Sequence, residues 1–221
     1  MRKKQPLPAP LPPETRTVGQ LVAESLRLYG RRFWPCLALG LAVAAINQVS
    51  AGRSTLVQVV VLAGGAPLMA AAYTGASAIV GNVRPAAATV AKAIAVGSLV
   101  FVPAAFLSLV YVLPAVAWLA LVGLVVPVLV IERLPIAAAF RRTIRLARAD
   151  YLHALASLAT LVILFGVVKL MLVLLLKDLG DSGERAALGL GDVVVSPLLF
   201  LGGALLYVDQ AARVRSEPET R

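Results

Sequence analysis

Acidic residues are scarce in this chain. Eleven Asp and Glu stand against twenty-one Lys and Arg in 221 residues, and charged residues of both signs make up only 14%. Cysteine and histidine are scarcer still, with one of each, Cys36 and His153. One cysteine excludes an intramolecular disulfide and any cysteine-rich metal site. One histidine leaves almost no scope for histidine-based zinc chemistry. No P-loop, HExxH, GxSxG or Rossmann glycine pattern occurs. The expectation is a chain with no metal, no cofactor and no enzymatic activity.

What fills the chain is apolar. Hydrophobic residues reach 60%, where a soluble domain carries roughly 45–50% apolar and about 25% charged residues. This composition predicts an all-α integral membrane protein. The N-terminal MRKKQPLPAPLPPETR is basic and then proline-rich, with no apolar core beside a small-residue cleavage pattern. That argues against a cleaved signal peptide. The chain divides into a disordered, solvated arm over 1–15, a membrane domain over 16–211 and a disordered polar tail over 212–221.

A helix needs about 20 apolar residues to cross a bilayer core. Uncharged runs place spans at 33–52 and 54–83, and two more within 93–131, where Tyr111 and Pro114 mark the turn. A fifth span covers 152–176, interrupted only by Lys169, and a sixth covers 188–208, with Asp192 near its start. Six spans put both termini on one side. That side carries seventeen Lys and Arg, and the other carries three, Arg53, Lys177 and Arg185. Cytoplasmic loops are the basic ones, so both termini are expected in the cytoplasm, beneath the cell membrane. The net charge of +10 then reports topology, and no nucleic-acid partner is expected. Phe33, Trp34, Tyr151 and Tyr207 fall at inner helix ends and Tyr111 at an outer turn, levels where aromatic rings sit half wet.

Two stretches read as amphipathic helices on the inner surface. Thr17-Val18-Gly19-Gln20 fits a capping box. Val18, Leu21, Val22 and Tyr29 then share one face, and Glu24, Arg27 and Arg31 another. The stretch 132–150 carries five arginines, Arg133, Arg141, Arg142, Arg145 and Arg148. At about 100° per residue, Ile136, Phe140, Ile144, Ala147 and Tyr151 form one stripe, with Arg141, Arg145 and Arg148 beside it. An apolar face flanked by arginines suits contact with anionic lipid headgroups or with a membrane protein partner. A plain positive loop that fixes topology is the simpler reading. Ser25-Leu26-Arg27-Leu28 also resembles Thr143-Ile144-Arg145-Leu146, and Phe33 aligns with Tyr151, at an offset of 118. Each copy would be a surface helix followed by two spans.

Candidate chemistry is sparse. Gly189-Leu190-Gly191-Asp192 matches the GxGD pattern of intramembrane aspartyl proteases, but that chemistry needs a second carboxylate at the same depth. Asp209, Asp150, Asp178 and Asp181 are all misplaced for it. Asp192 reads better as a helix-start residue or as the partner of Lys169, whose charge lies inside a span. Lys169 could equally reach outward without a partner. Glu132 is expected to pair with Arg142 or Arg133. His153 reads as a polar residue at the interface. Gly40-x-x-x-Ala44 and Ala71-x-x-x-Gly75 permit close helix packing. A polar cavity joining Lys169, Asp192 and Glu132 would favour transport, and dry packing between them a structural role.

Pro127-Val128-Leu129-Val130-Ile131-Glu132, then Ala139-Phe140-Arg141-Arg142-Thr143 and Leu146, resembles a pattern in a broad bacterial family of multi-pass proteins. This is the membrane domain associated with glycerophosphoryl diester phosphodiesterases. Leu206-Tyr207-Val208-Asp209 with Arg213 is similar to its closing segment. The chain departs from the pattern at Arg133, where the family often has Gly, and at Thr143, where it usually has Ser. The resemblance marks Glu132, Arg142, Thr143, Tyr207 and Asp209 as motif positions. It implies a stand-alone membrane domain, because the phosphodiester chemistry belongs to a separate soluble barrel for which this chain has no room. The leading expectation is a structural or accessory membrane protein. The alternative is a transporter or lipid-handling protein that uses Lys169 and Asp192, with Pro103, Pro114 and Pro127 in or beside spans.

Overall fold

Thr17 and Gln20 close a reciprocal pair of hydrogen bonds. Thr17 Oγ1 accepts from the Gln20 amide at 3.4 Å, and Gln20 Oε1 accepts from the Thr17 amide at 2.8 Å. These bonds satisfy free amides at the start of α1 (Val18–Arg31). The computed structural model describes residues 12–108, 111–176 and 180–216, without the side chains of 181, 182 and 184. Among the described residues every regular element is helical. After α1 come α2 (Phe33–Ser50), α3 (Thr55–Gly64), α4 (Ala66–Gly81), α5 (Ala87–Leu107) and α6 (Val112–Val122). A short α7 (Val125–Pro127) runs into a π-helical turn (Val128–Glu132). Then follow α8 (Ile136–Ala149), α9 (Tyr151–Leu176), α10 (Gly180–Val195) and α11 (Pro197–Ser216).

Five helical stretches are long and apolar enough to cross a membrane: 33–50, 87–107, 112–132, 151–176 and 185–216. Counted together, α3 and α4 make a sixth, bent by 49°. One expected helix is therefore bent, and another is interrupted by a single turn residue. The run 54–83 bends at Gly65, two residues before Pro67, where glycine favours the helix least and proline lacks the amide hydrogen. The run expected as one helix over 188–208 starts earlier, at Gly180, and breaks at Ser196 before Pro197. Asp192 is thus in the last turn of α10 and not at a helix start. α11 continues to Ser216, past the boundary expected at 211. Of the arm expected over 1–15, Pro13–Thr15 forms a 3-10 turn against α11. Residues 1–11 and 217–221 lie outside the described residues.

The repeat has a structural counterpart. α1 and α8 both span 14 residues, and Val18 and Ile136, Arg31 and Ala149, Phe33 and Tyr151 all stand 118 apart. Burial follows the same offset. Leu21 and Ala139, Ser25 and Thr143, Tyr29 and Ala147, Cys36 and Ala154, Leu39 and Ser157, Val43 and Leu161 are all buried. In each unit a broken helix pair comes third, α3/α4 in one and α10/α11 in the other. The junctions are tied alike. Arg32, between α1 and α2, donates to Asn82 just past α4 at 2.9 Å. Asp150, between α8 and α9, pairs with Arg213 near the end of α11. The α5–α6 hairpin stands between the units, with Trp118 Nε1 donating to the Val100 carbonyl at 2.9 Å. Tyr151 ties it to the second unit, its hydroxyl donating to the Ala117 carbonyl at 3.1 Å.

Candidate functional site

One end of the bundle gathers the motif positions. Pro127 has no amide hydrogen to give, and beyond it the helix widens into the π turn that ends on Glu132. Glu132 Oε1 accepts from Tyr207 Oη at 2.8 Å and from Arg142 Nε at 3.2 Å. The pairing with Arg142 is one of the two foreseen. The other candidate, Arg133, turns away in the left-handed region at φ 55°. Tyr207 corrects an expectation: it is only 6% exposed and serves as a donor to Glu132, not as an interfacial ring. Trp34 and Tyr111, by contrast, are well exposed.

Next to this cluster lies a second that the sequence reading missed. Asp209 is fully buried, and Arg16 Nη1 stands 2.5 Å from its Oδ1. Arg213 pairs with Asp150 and also donates to the Arg16 carbonyl at 3.0 Å. Gln210 Nε2 donates to the Asp150 carbonyl at 2.9 Å. Asp150 Oδ1 accepts the His153 amide at 3.0 Å, the bond of a helix N-cap. That cap was readable as an Asp before an apolar helix. Arg16 was not, since its partner is 193 positions away. Thr143 is fully buried with its hydroxyl unpartnered among the described residues.

The carboxylates at this end are thus engaged by Arg142, Arg16 and Arg213. Arg141, Arg145 and Arg148 are exposed, and among the described residues none has an acid within 4.0 Å. α8 buries one face against the bundle and leaves part of the expected apolar stripe exposed. Ala139, Thr143, Leu146 and Ala147 pack inward, while Ile136 is 44% and Ile144 37% exposed. Small residues let the backbone approach α6 and α11 closely, so they take the inner face. Going round the helix, the buried face gives way to half-buried Phe140 and then to exposed Ile144, about 80° from Ile136, which is exposed in the first turn. The three arginines follow within about 60°.

Lys169 and Asp192 meet at the opposite end. Lys169 Nζ is 2.8 Å from Asp192 Oδ1, and Asn47 Nδ2 donates to Asp192 Oδ2 at 2.8 Å. Asn47 was missed. Lys169 also lies 5.6 Å from the centre of the Phe165 ring. The GxGD glycines pack against the ends of flexible side chains. A Cβ on Gly189 would come within 2.4 Å of Gln48 Nε2, and one on Gly191 within 2.5 Å of Leu172 Cδ1. Lys177 and Asp178 lie outside the described residues, as does the side chain of Asp181.

Two adjoining cavities of about 230 Å³ each, sharing Asn47, Ser50 and Gln58, open beside this pair. A third, of about 130 Å³, is apolar, walled by Tyr73, Phe101, Leu161 and Phe200 among others. Glu132 lines none of the three. Buried apolar side chains such as Val43, Tyr73, Leu161 and Leu201 lie between the two polar ends. The arrangement has the chemistry of ion pairing and of a basic surface. Among the described residues no group of His, Cys, Asp and Glu is placed to hold a metal ion. Comparison with family models, with curated proteins and with solved structures finds no match for this chain.

Proposed function

We propose that this chain is a six-span protein of the cell membrane, with both termini in the cytoplasm and α1 and α8 on the inner surface. Its role is non-enzymatic, structural or accessory, and its basic face contacts anionic lipid headgroups. The resemblance to the phosphodiesterase-associated membrane domain agrees with a multi-pass membrane module. One observation carries the reading: three exposed arginines without counter-charges among the described residues, beside exposed apolar side chains, on a helix fixed by its other face. Long basic side chains on such a helix reach headgroups while the apolar ones sit in the acyl boundary. Each cation near an anionic surface contributes about 1 kcal/mol.

The test compares the full-length protein with Arg141→Gln/Arg145→Gln/Arg148→Gln. Lipid co-purifying from membranes is quantified by class. Anionic lipid per protein is expected to fall several-fold while neutral lipid stays constant. Unchanged anionic lipid sinks the reading, and loss of a co-purifying protein instead would make this a partner face.

A second reading, transport or lipid handling through Lys169 and Asp192, is favoured by the two polar cavities beside that pair. Against it stands the apolar packing that separates the pair from Glu132. If Lys169→Met left protein level and every measured flux unchanged, the transport reading would fail.

A further inference from the structure

We infer that Arg141, Arg145 and Arg148 together hold a single lipid headgroup bearing two phosphates, in preference to separate singly charged lipids. The inference rests on the lipid-facing reading of α8 and adds the class of headgroup. α1 serves as a built-in comparison, because it has the same length and buries three of the four matching positions. Opposite Arg145 it carries Arg27, but opposite Arg141 and Arg148 it carries Ala23 and Gly30. A surface helix of this design therefore forms without arginine at those two positions. Counter-charge differs as well. Arg27 is neutralised by Glu24 at 2.6 Å. The position matching Glu24 is Arg142, already spent on Glu132.

The stripe is also held still. Inward packing of Ala139, Thr143, Leu146 and Ala147 stops α8 from rolling its arginines away from that surface. From Arg141 to Arg148 the stripe extends about 10 Å along the axis, at about 1.5 Å per residue. A guanidinium takes a phosphate through two parallel N–H···O bonds, so three in a row can cover two phosphates. Two phosphates on separate lipids must each be captured from the leaflet. Two on one headgroup make the second capture intramolecular, which raises avidity by roughly 10²–10⁴ where the geometry fits.

The experiment uses the full-length protein in neutral detergent. Cardiolipin, or phosphatidylglycerol at matched total charge, is titrated in, and bound lipid is counted by native mass spectrometry. One cardiolipin is expected to bind at least about 10-fold more tightly than phosphatidylglycerol. Arg141→Ala with Arg148→Gly, the residues α1 carries, is expected to abolish that preference. Should glycine break α8, Arg141→Gln with Arg148→Gln makes the same test. Arg53→Gln, at the opposite end, is expected to change nothing. Equal affinity for both lipids, or a preference that survives both variant pairs, overturns the two-phosphate inference and leaves the anionic-lipid reading standing. Failure to bind either lipid overturns both. Displacement of cardiolipin by equimolar pyrophosphate assigns the site to a free phosphate compound and overturns the lipid assignment.

Discussion

Asp209 and Arg16 form the most deeply buried ion pair among the described residues, with side chains 0% and 10% exposed. Taking two ions out of water costs several kcal/mol each, and their attraction offsets that only while both are present. Arg16→Met alone strands a buried carboxylate and is expected to cost about 3–5 kcal/mol. Adding Asp209→Leu should recover most of the loss. A double-mutant cycle on reversible unfolding in detergent measures this, and strictly additive losses would deny the coupling. Arg133 offers the opposite case. Its left-handed φ of 55° costs a residue with a Cβ about 1–2 kcal/mol. Glycine carries no such penalty, and Arg133→Gly is expected to stabilise by about 1 kcal/mol, read as a rise in unfolding midpoint. A fall would mean that the Arg133 side chain makes a contact worth more than the strain. The residue pairs differed in how far the sequence announced them. Glu132 and Arg142 lie ten positions apart, and Asp192 was one of the readings open for Lys169, beside an outward reach without a partner. Nothing local ties Arg16 to a carboxylate near the other end of the chain.

At the scale of the helix, close approach decides the packing of α2 on α10. Gly40 was readable as one of a small-xxx-small pair, but what it faces was not. A Cβ there would stand 2.1 Å from the Val193 carbonyl oxygen, a backbone atom that cannot swing aside. Gly40→Ala is therefore expected to destabilise by about 1–3 kcal/mol through overpacking, and to loosen the contact of Asn47 with Asp192. Gly166, on α9 with nothing within 4 Å of its would-be Cβ, is the control. Gly166→Ala should be neutral or stabilising by up to about 1 kcal/mol, since alanine favours the helix. Equal effects of the two substitutions on the unfolding midpoint would remove close approach as the cause. The apolar runs made the long helices legible, because a bilayer-length stretch without charge has few other uses. The bend at Gly65 was harder, since hydropathy has no direction and a bent pair reads like a straight one. The inner face of α8 was not legible for a related reason. Two apolar faces adjoin on that helix, one with Ala139, Leu146 and Ala147 and one with Ile144, and hydropathy does not tell them apart.

Across the whole molecule, the repeat and the charge asymmetry make one claim about orientation. Two units that each begin with a surface helix and return after two passes must present α1 and α8 on the same side. On the proposed six-span topology that side would carry seventeen Lys and Arg against three on the other, and the rule that basic loops stay inside would put it in the cytoplasm. The chain is suited to a direct test, because its single cysteine, Cys36, is fully buried. Replacing it by alanine gives a background in which one new thiol reports one location. Arg145→Cys on α8 is expected to resist a membrane-impermeant maleimide in intact cells and to react once the membrane is opened. Arg53→Cys, on the exposed turn between α2 and α3, is expected to react in both conditions. The reverse pattern would invert the molecule and turn the arginines of α8 away from the cytoplasmic leaflet. Labelling of both thiols in intact cells would instead place α1 and α8 on different sides from the one the repeat demands, and the six-span count would fall with it.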